Sequence, residues 1–456
     1  MAGAREAVVV SQSTHVLPLE FNRRYPVIVR GDGVWVEDAS GKRYLDAMSG
    51  GSMAATLGHG RRDIIAAAKA QAETLAYVHN ERLTNPPQEQ LAHELAGLAP
   101  EGFTRVRFVT GGAEANEMAI QIARRYHVDR GESKRWQVIS PAQAYHGPTM
   151  ATLAFTGRPG LQRPFEPYMP AHPHIPPSTW RFDPSGEQAL KALDAALEAV
   201  GPETVSAYLC EPISAAALPA YSPPKHFWDG LAKRRERHGF LICFDEIVTG
   251  IGRTGNWFAA HSLPILPDII ATAKGLGAGY AAIGAVLCAQ HVYDAIANGS
   301  RKFTLGHTWD GAPLSCAVGL KVIDVLKKEG LVERVHERGP KLRDELADAL
   351  RGLPLVHEVR GRGFLLGVEY VDPRDGKAFL PPELRTAGRV DDVAFENGLI
   401  TYSTMPTRDG FAGDQTLFAP PFTSTDAELA EMVERFAASV SKVAKELESK
   451  LEPRLA

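Results

Sequence analysis

Pro267-Asp-Ile-Ile-Ala-Thr-Ala-Lys274 is an apolar, β-branched run that ends in a lysine and continues at once into Gly275-Leu-Gly-Ala-Gly279. A second apolar run, Phe240-Leu-Ile-Cys-Phe244, ends in Asp245. Runs of this length and composition predict buried strands of a parallel sheet. Ligands bind such sheets beyond the carboxyl ends of the strands, so Lys274 and Asp245 stand where the chemistry is expected.

Lys274 has an unusual setting, because most lysines lie in polar surroundings where the amine is solvated. The amine of a partly desolvated lysine has a lowered pKa and becomes a nucleophile able to form a Schiff base. Asp245, on a neighbouring strand end, suggests what the lysine reacts with. A pyridine ring whose nitrogen needs a carboxylate to stay protonated, as in pyridoxal phosphate, accounts for both residues.

Helical and strand patterns alternate along the chain from residue 62 to about residue 315. Strands are predicted at 104–109, 136–139, 205–209, 240–244, 269–273 and 283–288, and helices at 64–75, 89–98, 114–126, 188–200 and 226–238. This alternation predicts an α/β fold in which helices cover both faces of a mainly parallel sheet.

Shorter elements are predicted on either side of this region. A hairpin is expected near residues 26–36. The C-terminal part has two long helical patterns, two strands and a closing helix that opens with the capping box Thr425-Asp-Ala-Glu428. We therefore expect a large domain at residues 61–315 and a smaller α+β domain built from residues 1–60 and 316–456.

The composition is that of an ordinary globular protein. The 456 residues are 44% hydrophobic and 23% charged, with a formal net charge of −4. Basic and acidic residues are interspersed, which provides no electrostatic footprint for nucleic acid or an acidic membrane. The four cysteines stand singly without metal-binding spacing, and we expect reduced thiols in a cytoplasmic protein. Neither a signal peptide nor a membrane-spanning stretch is expected.

Other predicted strands are also followed by candidate loops. Thr110-Gly-Gly-Ala-Glu114 joins a strand to a helix, and its glycines and helix N-terminus suit a phosphate group, although alone it is more often a plain turn. Tyr145 stands at a strand end, where an aromatic ring stacks on a planar cofactor or simply packs. Glu211 ends a strand as part of a polar network or as a surface charge. Thr308 lies in a polar loop before a helix, as a phosphate ligand or a helix cap.

The loop after Asp245 contains a glycine pattern with the spacing of a dinucleotide fingerprint. Gly250-Ile-Gly-Arg-Thr-Gly255 has the form G-x-G-x-x-G after a strand. The fingerprint requires a helix that opens at the glycines and an acid about 20 residues further on. Asn256-Trp-Phe258 follows without a helical pattern, and Asp268 comes too early. A nicotinamide-dependent oxidoreductase is therefore the remote alternative.

Four segments together make the sequence resemble a known family. They are Phe244-Asp-Glu-Ile-Val-Thr-Gly-Ile-Gly-Arg-Thr-Gly255, Pro267-Asp-Ile-Ile-Ala-Thr-Ala-Lys-Gly-Leu-Gly-Ala-Gly-Tyr280, Tyr145-His-Gly147 and Gly306-His-Thr-Trp-Asp-Gly-Ala-Pro-Leu-Ser-Cys-Ala317. The chain resembles a class III (ω-type) aminotransferase, a pyridoxal-phosphate enzyme of fold type I, from about Val34 to Phe436.

The resemblance implies a role for each matching residue. Lys274 holds the cofactor as a Schiff base and, once released by the substrate, shuttles the proton between the substrate Cα and C4′ of the cofactor. Asp245 pairs with the pyridinium nitrogen. The other implied contacts are Ile247 and Tyr145 on the two ring faces, Gly112 and the N–H of Ala113 at the phosphate, Glu211 in the supporting polar network, and Thr308 at a phosphate of the partner subunit. The last contact implies a homodimer with active sites at its interface.

Three departures from the family pattern concern the phosphate and the substrate. Ala113 replaces the usual Ser or Thr and removes one hydroxyl contact to phosphate, worth about 1 kcal/mol, for which Thr110 or a water is the available replacement. Residues 49–56, including Ser52, are small or flexible where many members carry a bulky aromatic, so a roomier substrate pocket is expected. Arg408 lies further from the following Gly-Asp pair than the family arginine that binds the acceptor's carboxylate; it fills that role or is an exposed loop arginine.

The sequence thus predicts an aminotransferase that moves an amino group from an amine or ω-amino acid to a 2-oxo acid, pyruvate or 2-oxoglutarate, by ping-pong exchange. An aminomutase or racemase of the same fold is the alternative, since it also needs Lys274 and Asp245. A transaminase differs in requiring a second substrate for turnover and in accumulating pyridoxamine phosphate when given donor alone.

Overall fold

The structure, a computed structural model, describes residues 15–21, 23, 25–404 and 410–451. Its strands are β1 Ile28–Asp32, β2 Trp35–Asp38, β3 Arg43–Asp46, β4 Phe103–Val109, β5 Gln137–Pro141, β6 His174–Ile175, β7 Val205–Cys210, β8 Leu241–Asp245, β9 Ile269–Thr272, β10 Gly284–Ala289, β11 Val356–Arg362, β12 Leu365–Tyr370, β13 Leu399–Ile400, β14 Tyr402–Thr404 and β15 Gln415–Phe418. Its α-helices are α1 Arg62–Thr74, α2 Pro86–Leu98, α3 Gly112–Asp129, α4 Met150–Phe155, α5 Pro159–Gln162, α6 Glu187–Val200, α7 Lys225–His238, α8 Gln290–Asn298, α9 Pro313–Lys328, α10 Leu331–Ala349, α11 Thr386–Glu396 and α12 Asp426–Glu448.

The central sheet has the strand order β4-β10-β9-β8-β7-β5-β6. Neighbouring strands run parallel except at β10, which is antiparallel to both β4 and β9. The segment between β9 and β10 contains only the short helical turn Lys274–Leu276. A parallel connection needs a crossover of a dozen or more residues, so this short connection reverses the chain. The mainly parallel sheet that the sequence predicts is confirmed, with β10 as the exception.

The centre of this sheet is the core of the molecule. Every residue of β7, β8, β9 and β10 is buried. Along β8, Leu241 and Cys243 belong to the core on the side of α3, whereas Ile242 and Phe244 belong to the core on the opposite side. Covered on both faces, the strands have continuous apolar sequences instead of alternating ones. Charged side chains stand at or just beyond the carboxyl ends of these strands: Glu211 after β7, Asp245 at the end of β8 and Lys274 after β9.

Two smaller sheets are built from the terminal segments. One has the order β1-β2-β3-β13, and its strand β13 pairs in parallel with β3, so that Leu399 lies opposite Leu45. The other has the order β11-β12-β15-β14. The predicted capping box is confirmed at the start of α12, where the Thr425 side chain accepts from the N–H of Glu428. N- and C-terminal segments therefore share a sheet, while the domain boundaries at residues 60 and 315 stay predictions.

Several short elements were not predicted from the sequence. They are α4, α5, α8, α11, β6, β13, β14 and β15. Most span six residues or fewer, which is too little for a periodic pattern, and they exist because tertiary packing selects them. Within the described ranges, no helix combines the length and the apolar character needed to cross a membrane.

Candidate active site

A cavity of about 330 Å³ opens at the carboxyl ends of the parallel strands. Lys274 follows β9, Asp245 ends β8, and both line this cavity. The predicted site residues found in its wall are Gly112, Ala113, Tyr145, Glu211, Asp245, Ile247 and Lys274. The fold thus brings together residues from five separate strand-end segments at the sheet edge where ligands of α/β proteins bind.

Lys274 has a left-handed backbone conformation, with φ of 37°. This conformation costs a non-glycine residue roughly 1 kcal/mol or more and is concentrated at functional sites. The turn is held because the Lys274 carbonyl accepts from the N–H groups of Gly277 and Ala278, at 3.1 and 3.0 Å. A Cβ at Gly277 would clash with the Ala281 carbonyl oxygen, so glycine lets the chain fold tightly behind Lys274, which lines the cavity.

Burial lowers the pKa of the Lys274 amine below its usual value. The carboxylates of Asp245 and Glu211 raise this pKa, and the nearby guanidinium of Arg253 lowers it, but burial is the largest effect. A lowered pKa increases the fraction of neutral amine, the form that attacks a carbonyl carbon or accepts a proton. The amine is thus poised as the sequence predicts from its strand-end position.

Asp245 is held by buried neighbours that the sequence analysis did not single out. Its Oδ2 lies 2.8 Å from His146 Nδ1 and accepts from Asn116 Nδ2 at 2.7 Å. A carboxylate only accepts hydrogen bonds, so His146 carries its proton on Nδ1. Its Oδ1 accepts from the N–H of Ile247 at 3.1 Å. Each carboxylate oxygen of Asp245 is therefore fixed in direction.

Two signals in the sequence point to these neighbours. Asn116 stands on the apolar face of α3, between the buried residues Ala115 and Met118, and is itself fully buried. A buried amide needs partners, which predicts a polar group opposite it. His146 directly follows the strand-end residue Tyr145. Neither signal identifies Asp245 as the partner, because that depends on how the loops meet in space.

The N-terminus of α3 forms an open cradle at one end of the cavity. The first hydrogen bond of the helix runs from the N–H of Ala115 to the carbonyl of Gly111, at 3.0 Å. The N–H groups of Gly112 and Ala113 precede this bond and are therefore free of the helical ladder. A Cβ at Gly112 would lie 2.9 Å from Ile247 Cδ1, so any larger residue there would displace the Ile247 side chain. Free N–H groups at a helix N-terminus suit a phosphate.

Thr110 does not supply the hydroxyl that Ala113 lacks. Its Oγ1 donates to the carboxylate of Glu114, which also accepts from the N–H of Thr110 at 2.8 Å. A hydroxyl has one proton, and that proton is committed to Glu114. The suggestion that Thr110 replaces the missing phosphate contact is therefore wrong, and the cradle relies on backbone N–H groups.

Tyr145 and Glu211 also line the cavity and are hydrogen-bonded to each other. Glu211 accepts from the N–H of Tyr145 at 3.3 Å and from the N–H of Ala215 at 3.0 Å. Burial, and secondly the Asp245 carboxylate, raise the pKa of Glu211 above its usual range. Burial also raises the pKa of the Tyr145 hydroxyl. Glu211 thus orders the loop that carries Tyr145.

Thr308 and Ser52 are not found in the wall of the cavity. Thr308 is exposed, in the loop before α9, and its carbonyl accepts from the Tyr77 hydroxyl at 2.9 Å. Ser52 is exposed in a tight turn at Ser49–Met53, while Ala54 just beyond it lines the cavity. Arg408 lies outside the described residues.

The glycine loop after Asp245 has a structural role. Residues 246–258 contain no helix, so the requirement of a dinucleotide fingerprint is not met. Arg253 of this loop is fully buried and donates to the carbonyls of Phe364 and Pro420, at 3.0 and 2.6 Å, and to Ser49 Oγ at 2.8 Å. The loop thus fastens both terminal segments to the central sheet beside Lys274, and its glycines do not form the dinucleotide fingerprint on which the nicotinamide alternative rests.

Comparison with known proteins identifies the class to which this site belongs. The family model "Aminotransferase class-III" matches residues 21–440. A probable aminotransferase of Mycobacterium tuberculosis is 36% identical over 437 residues, 92% of each chain. An uncharacterized aminotransferase of Bacillus subtilis is 32% identical over 441 residues, 95% of this chain and 99% of that relative.

Solved structures agree with this assignment. An (S)-enantioselective ω-transaminase from Thermomicrobium roseum is similar with a TM-score of 0.86 and 35% identity, over 94% of this chain and 96% of that chain. The ω-transaminase of Pseudomonas jessenii in complex with PMP is similar with a TM-score of 0.86 and 30% identity, over 94% of both chains. The chain belongs to the class III aminotransferases, which use pyridoxal phosphate. The resemblance, the fold type and the cofactor expected from the sequence are confirmed.

Proposed function

We propose that this class III aminotransferase moves an amino group from an amine or ω-amino acid to a 2-oxo acid in two half-reactions, with Lys274 as the attachment point of the cofactor. The observation that carries the proposal is the single cavity that Lys274 and Asp245 share beside the open N-terminus of α3. The first product leaves before the acceptor binds, which is ping-pong exchange. Pyruvate and 2-oxoglutarate are the acceptors we propose.

The side chains and N–H groups present fit pyridoxal phosphate. When bound, this cofactor supplies an aldehyde carbon that combines with amines and a pyridinium ring that withdraws electrons. The N–H groups of Gly112 and Ala113 would hold its phosphate. Asp245 would keep a proton on the ring nitrogen, because Oδ1 retains acceptor capacity beyond the Ile247 N–H. Ile247 and Tyr145 would flank the ring.

The Lys274 amine would also act as the general base. Its lowered pKa favours the neutral form, which accepts the proton that leaves the substrate Cα. The amine would return this proton later in the same half-reaction. Glu211 and Asp245 would stabilise the ammonium form in the interval, since both raise the pKa of Lys274. One side chain would thus serve attachment and proton transfer.

The substrate side of the cavity supports an amino donor with a bulky, apolar substituent. Its wall includes Ala54, Ala215, Ala216 and Val248, which are small and apolar. Small side chains leave room, and apolar ones impose no requirement for a charged group on the donor. We therefore propose a roomier substrate pocket, as the sequence predicts. Ser52 lies in the turn that leads to Ala54. Relatives named γ-aminobutyrate transaminase make an ω-amino acid the other donor class to test.

We propose Arg408 as the residue that binds the acceptor's carboxylate. One described end of its loop lies beside the cavity, because Thr404 Oγ1 donates to the carbonyl of Ala216, a residue of the cavity wall, at 3.3 Å. At the other end, the Phe411 carbonyl accepts from Thr179 Oγ1 at 3.0 Å. None of the described residues in the cavity wall is an arginine. A planar guanidinium binds a carboxylate through two parallel hydrogen bonds.

A homodimer with active sites at its interface is part of the proposal. The loop that carries Thr308 exposes large apolar side chains, with Leu305 at 51% and Trp309 at 54% exposure. Trp309 packs edge-on against the half-exposed Tyr77, at 5.6 Å between ring centroids. An apolar patch of this kind marks a protein interface. Thr308, at its centre, would reach the phosphate in the partner subunit.

We also propose a cytoplasmic location. The four cysteines, Cys210, Cys243, Cys288 and Cys316, are free and buried. Reduced thiols are typical of proteins from a reducing compartment. Fractionation of the source cells with an antibody to this chain would test the location.

The experiment that tests the proposed function is a panel of amines and ω-amino acids assayed with pyruvate or 2-oxoglutarate and followed through the cofactor's absorbance. Wild type should convert the cofactor to pyridoxamine phosphate with donor alone and turn over only when an acceptor is added. Lys274→Ala should lose turnover, and Lys191→Ala, an exposed helical lysine, should not. Turnover of a single substrate without acceptor would instead indicate an aminomutase or racemase.

A further inference from the structure

The loop of Thr308 is joined to the phosphate cradle of its own subunit. His307 Nε2 lies 2.9 Å from Glu114 Oε1, and Glu114 immediately follows the cradle residue Ala113. Both side chains are half-buried, with 27% and 36% exposure. The proposed function assigns the cradle to the cofactor of its own subunit and Thr308 to the cofactor of the partner subunit. The contact between His307 and Glu114 links these two segments.

The hydrogen-bond partners settle the chemistry of the contact. His307 Nδ1 accepts from the N–H of Trp309 at 3.0 Å, so the ring proton lies on Nε2 and is donated to Glu114. Burial alone would raise the pKa of Glu114, but the hydrogen bonds from His307 and Thr110 outweigh it and lower the pKa. The carboxylate therefore accepts as an anion, and a neutral imidazole is sufficient for the contact.

Glu114 touches the cradle on both sides of its glycines. It accepts from the backbone N–H of Thr110, two positions before Gly112, and belongs to the first turn of α3. A phosphate that orders the N–H groups of Gly112 and Ala113 would therefore order Glu114 as well. His307 is hydrogen-bonded to Glu114 and would be ordered together with it. Thr308 is the next residue in the chain.

A second contact keeps the loop next to the same strand. Arg107, on β4, donates to the carbonyl of Leu305 at 3.0 Å and forms an ion pair with the buried carboxylate of Asp310. The loop is thus fixed to β4 at both of its ends and to the cradle at its middle. Arg107 precedes the cradle in the chain. Among the hydrogen bonds and ion pairs of the described residues, the one between His307 and Glu114 joins the cradle to this loop.

We propose that His307 and Glu114 are positioning residues that couple cofactor binding in the two subunits of the dimer. Phosphate bound in one cradle orders Glu114, His307 and Thr308 of that subunit, and Thr308 then serves the phosphate of the partner subunit. Once the first phosphate has ordered this loop, the second phosphate does not have to order it again, so the second binding event is more favourable. Binding is therefore positively cooperative. The inference rests on the proposed homodimer and on the proposed role of Thr308.

The test is a titration of the cofactor-free dimer with pyridoxal phosphate, followed by the absorbance of the lysine-bound cofactor. Wild type should bind with a Hill coefficient above one. His307→Asn keeps an acceptor for the Trp309 N–H but cannot reach Glu114. Its apparent Kd for pyridoxal phosphate should rise about tenfold, as expected for one lost hydrogen bond to a charged group. Its Hill coefficient should be one. His307→Gln, which retains a donor near the Nε2 position, should recover part of the affinity.

His226→Asn is the matched control, because His226 forms an exposed pair of the same chemistry with Glu187, at 3.0 Å. It should bind the cofactor as wild type does. Equal affinity and equal Hill coefficients in wild type and His307→Asn would overturn the coupling. Borohydride reduction of the same samples should fix the cofactor to Lys274; failure there would overturn the proposed function. A monomer in sedimentation would overturn the coupling and the homodimer together.

Discussion

His146 Nδ1 lies 2.8 Å from Asp245 Oδ2, and both side chains are almost fully buried. Asn116 donates to the same oxygen at 2.7 Å, so Oδ2 faces two donors while Oδ1 faces one N–H and the cavity. His146 and Asn116 therefore occupy Oδ2 of Asp245. Oδ1 is the oxygen that we propose faces the pyridinium nitrogen.

Replacing His146 should weaken the site through Asp245. In His146→Leu, one buried hydrogen bond to a charged group is lost, and we expect kcat to fall about tenfold to a hundredfold. The absorbance of the bound cofactor should titrate differently with pH, since the ring nitrogen then has a less well-oriented partner. His146→Asn, which retains a donor near Nδ1, should recover part of the rate. Wild-type rate and spectrum in His146→Leu would remove His146 from this role.

Gly112 and Gly111 provide a matched pair for the cradle. A Cβ at Gly112 would lie 2.9 Å from Ile247 Cδ1, whereas a Cβ at Gly111 meets no atom within 4 Å. In Gly112→Ala, the side chain of Ile247 has to move, and Ile247 lines the cavity where we propose that it flanks the cofactor ring. We expect the Kd for pyridoxal phosphate to rise at least tenfold in Gly112→Ala and less than twofold in Gly111→Ala, measured by absorbance titration. Similar values for the two variants would contradict this geometry.

The sequence predicts the parts of the fold and site that depend on local patterns. The continuous apolar run before Lys274 predicts a buried strand, and the residue that ends it lines the cavity, as expected. Thr110 was interpreted wrongly because its competing acceptor, Glu114, is visible only once the turn of α3 is formed. The sequence does not predict the roles of Asn116 and His146 for a related reason. Their partner Asp245 is distant in sequence, and the order of the strands in the sheet brings the three residues together.

Arg253 should be a main contributor to stability. It is fully buried, and its guanidinium donates to two carbonyl oxygens and the Ser49 hydroxyl from three separate segments. In Arg253→Met these acceptors lose their donors inside the protein, which we expect to lower the free energy of unfolding by about 2–4 kcal/mol. Thermal unfolding would measure the loss as a lower Tm. Arg362→Met, which removes an exposed arginine bonded to Ser262, should leave Tm almost unchanged.

A Tm of Arg253→Met equal to that of wild type would mean that apolar packing compensates for the lost hydrogen bonds, as replacements of buried charges sometimes do. Retained stability with altered donor preference would still implicate the turn at Ser49–Met53, since Ser49 is one of the three acceptors. The two measurements separate a structural role from an effect on the pocket.

Glu246 should make stability depend on pH. Burial raises its pKa from 4.5 to about 7, although the N–H groups of Ala259 and Ala260 and the Thr249 hydroxyl oppose the shift. The folded state thus keeps the proton to about pH 7, whereas the unfolded state loses it near pH 4.5. Stability should therefore fall as the pH rises through this window, by about 3 kcal/mol in total.

Glu246→Gln, which has no proton to lose, should remove this decline. Its Tm relative to wild type should be lowest near pH 5 and should improve steadily toward pH 8. Glu203→Gln, at an exposed carboxylate, should follow the wild-type profile at every pH. Parallel profiles of wild type and Glu246→Gln would show that Glu246 does not titrate within the window.

Arg408, in the role that we propose for it, should distinguish between acceptors by their charge. If its guanidinium binds the carboxylate of a 2-oxo acid, Arg408→Ala should raise KM for pyruvate and 2-oxoglutarate about tenfold to a hundredfold. KM for a neutral aldehyde acceptor should stay within about twofold, because that acceptor has no carboxylate to lose a partner. Arg408→Lys should restore only part of the affinity, since an ammonium cannot form two parallel hydrogen bonds. Arg351→Ala, at a side chain with 78% exposure, serves as the control for a general loss of positive charge. Equal increases for the oxo acids and the aldehyde would exclude Arg408 from acceptor recognition, while leaving the role of Lys274 to its own test.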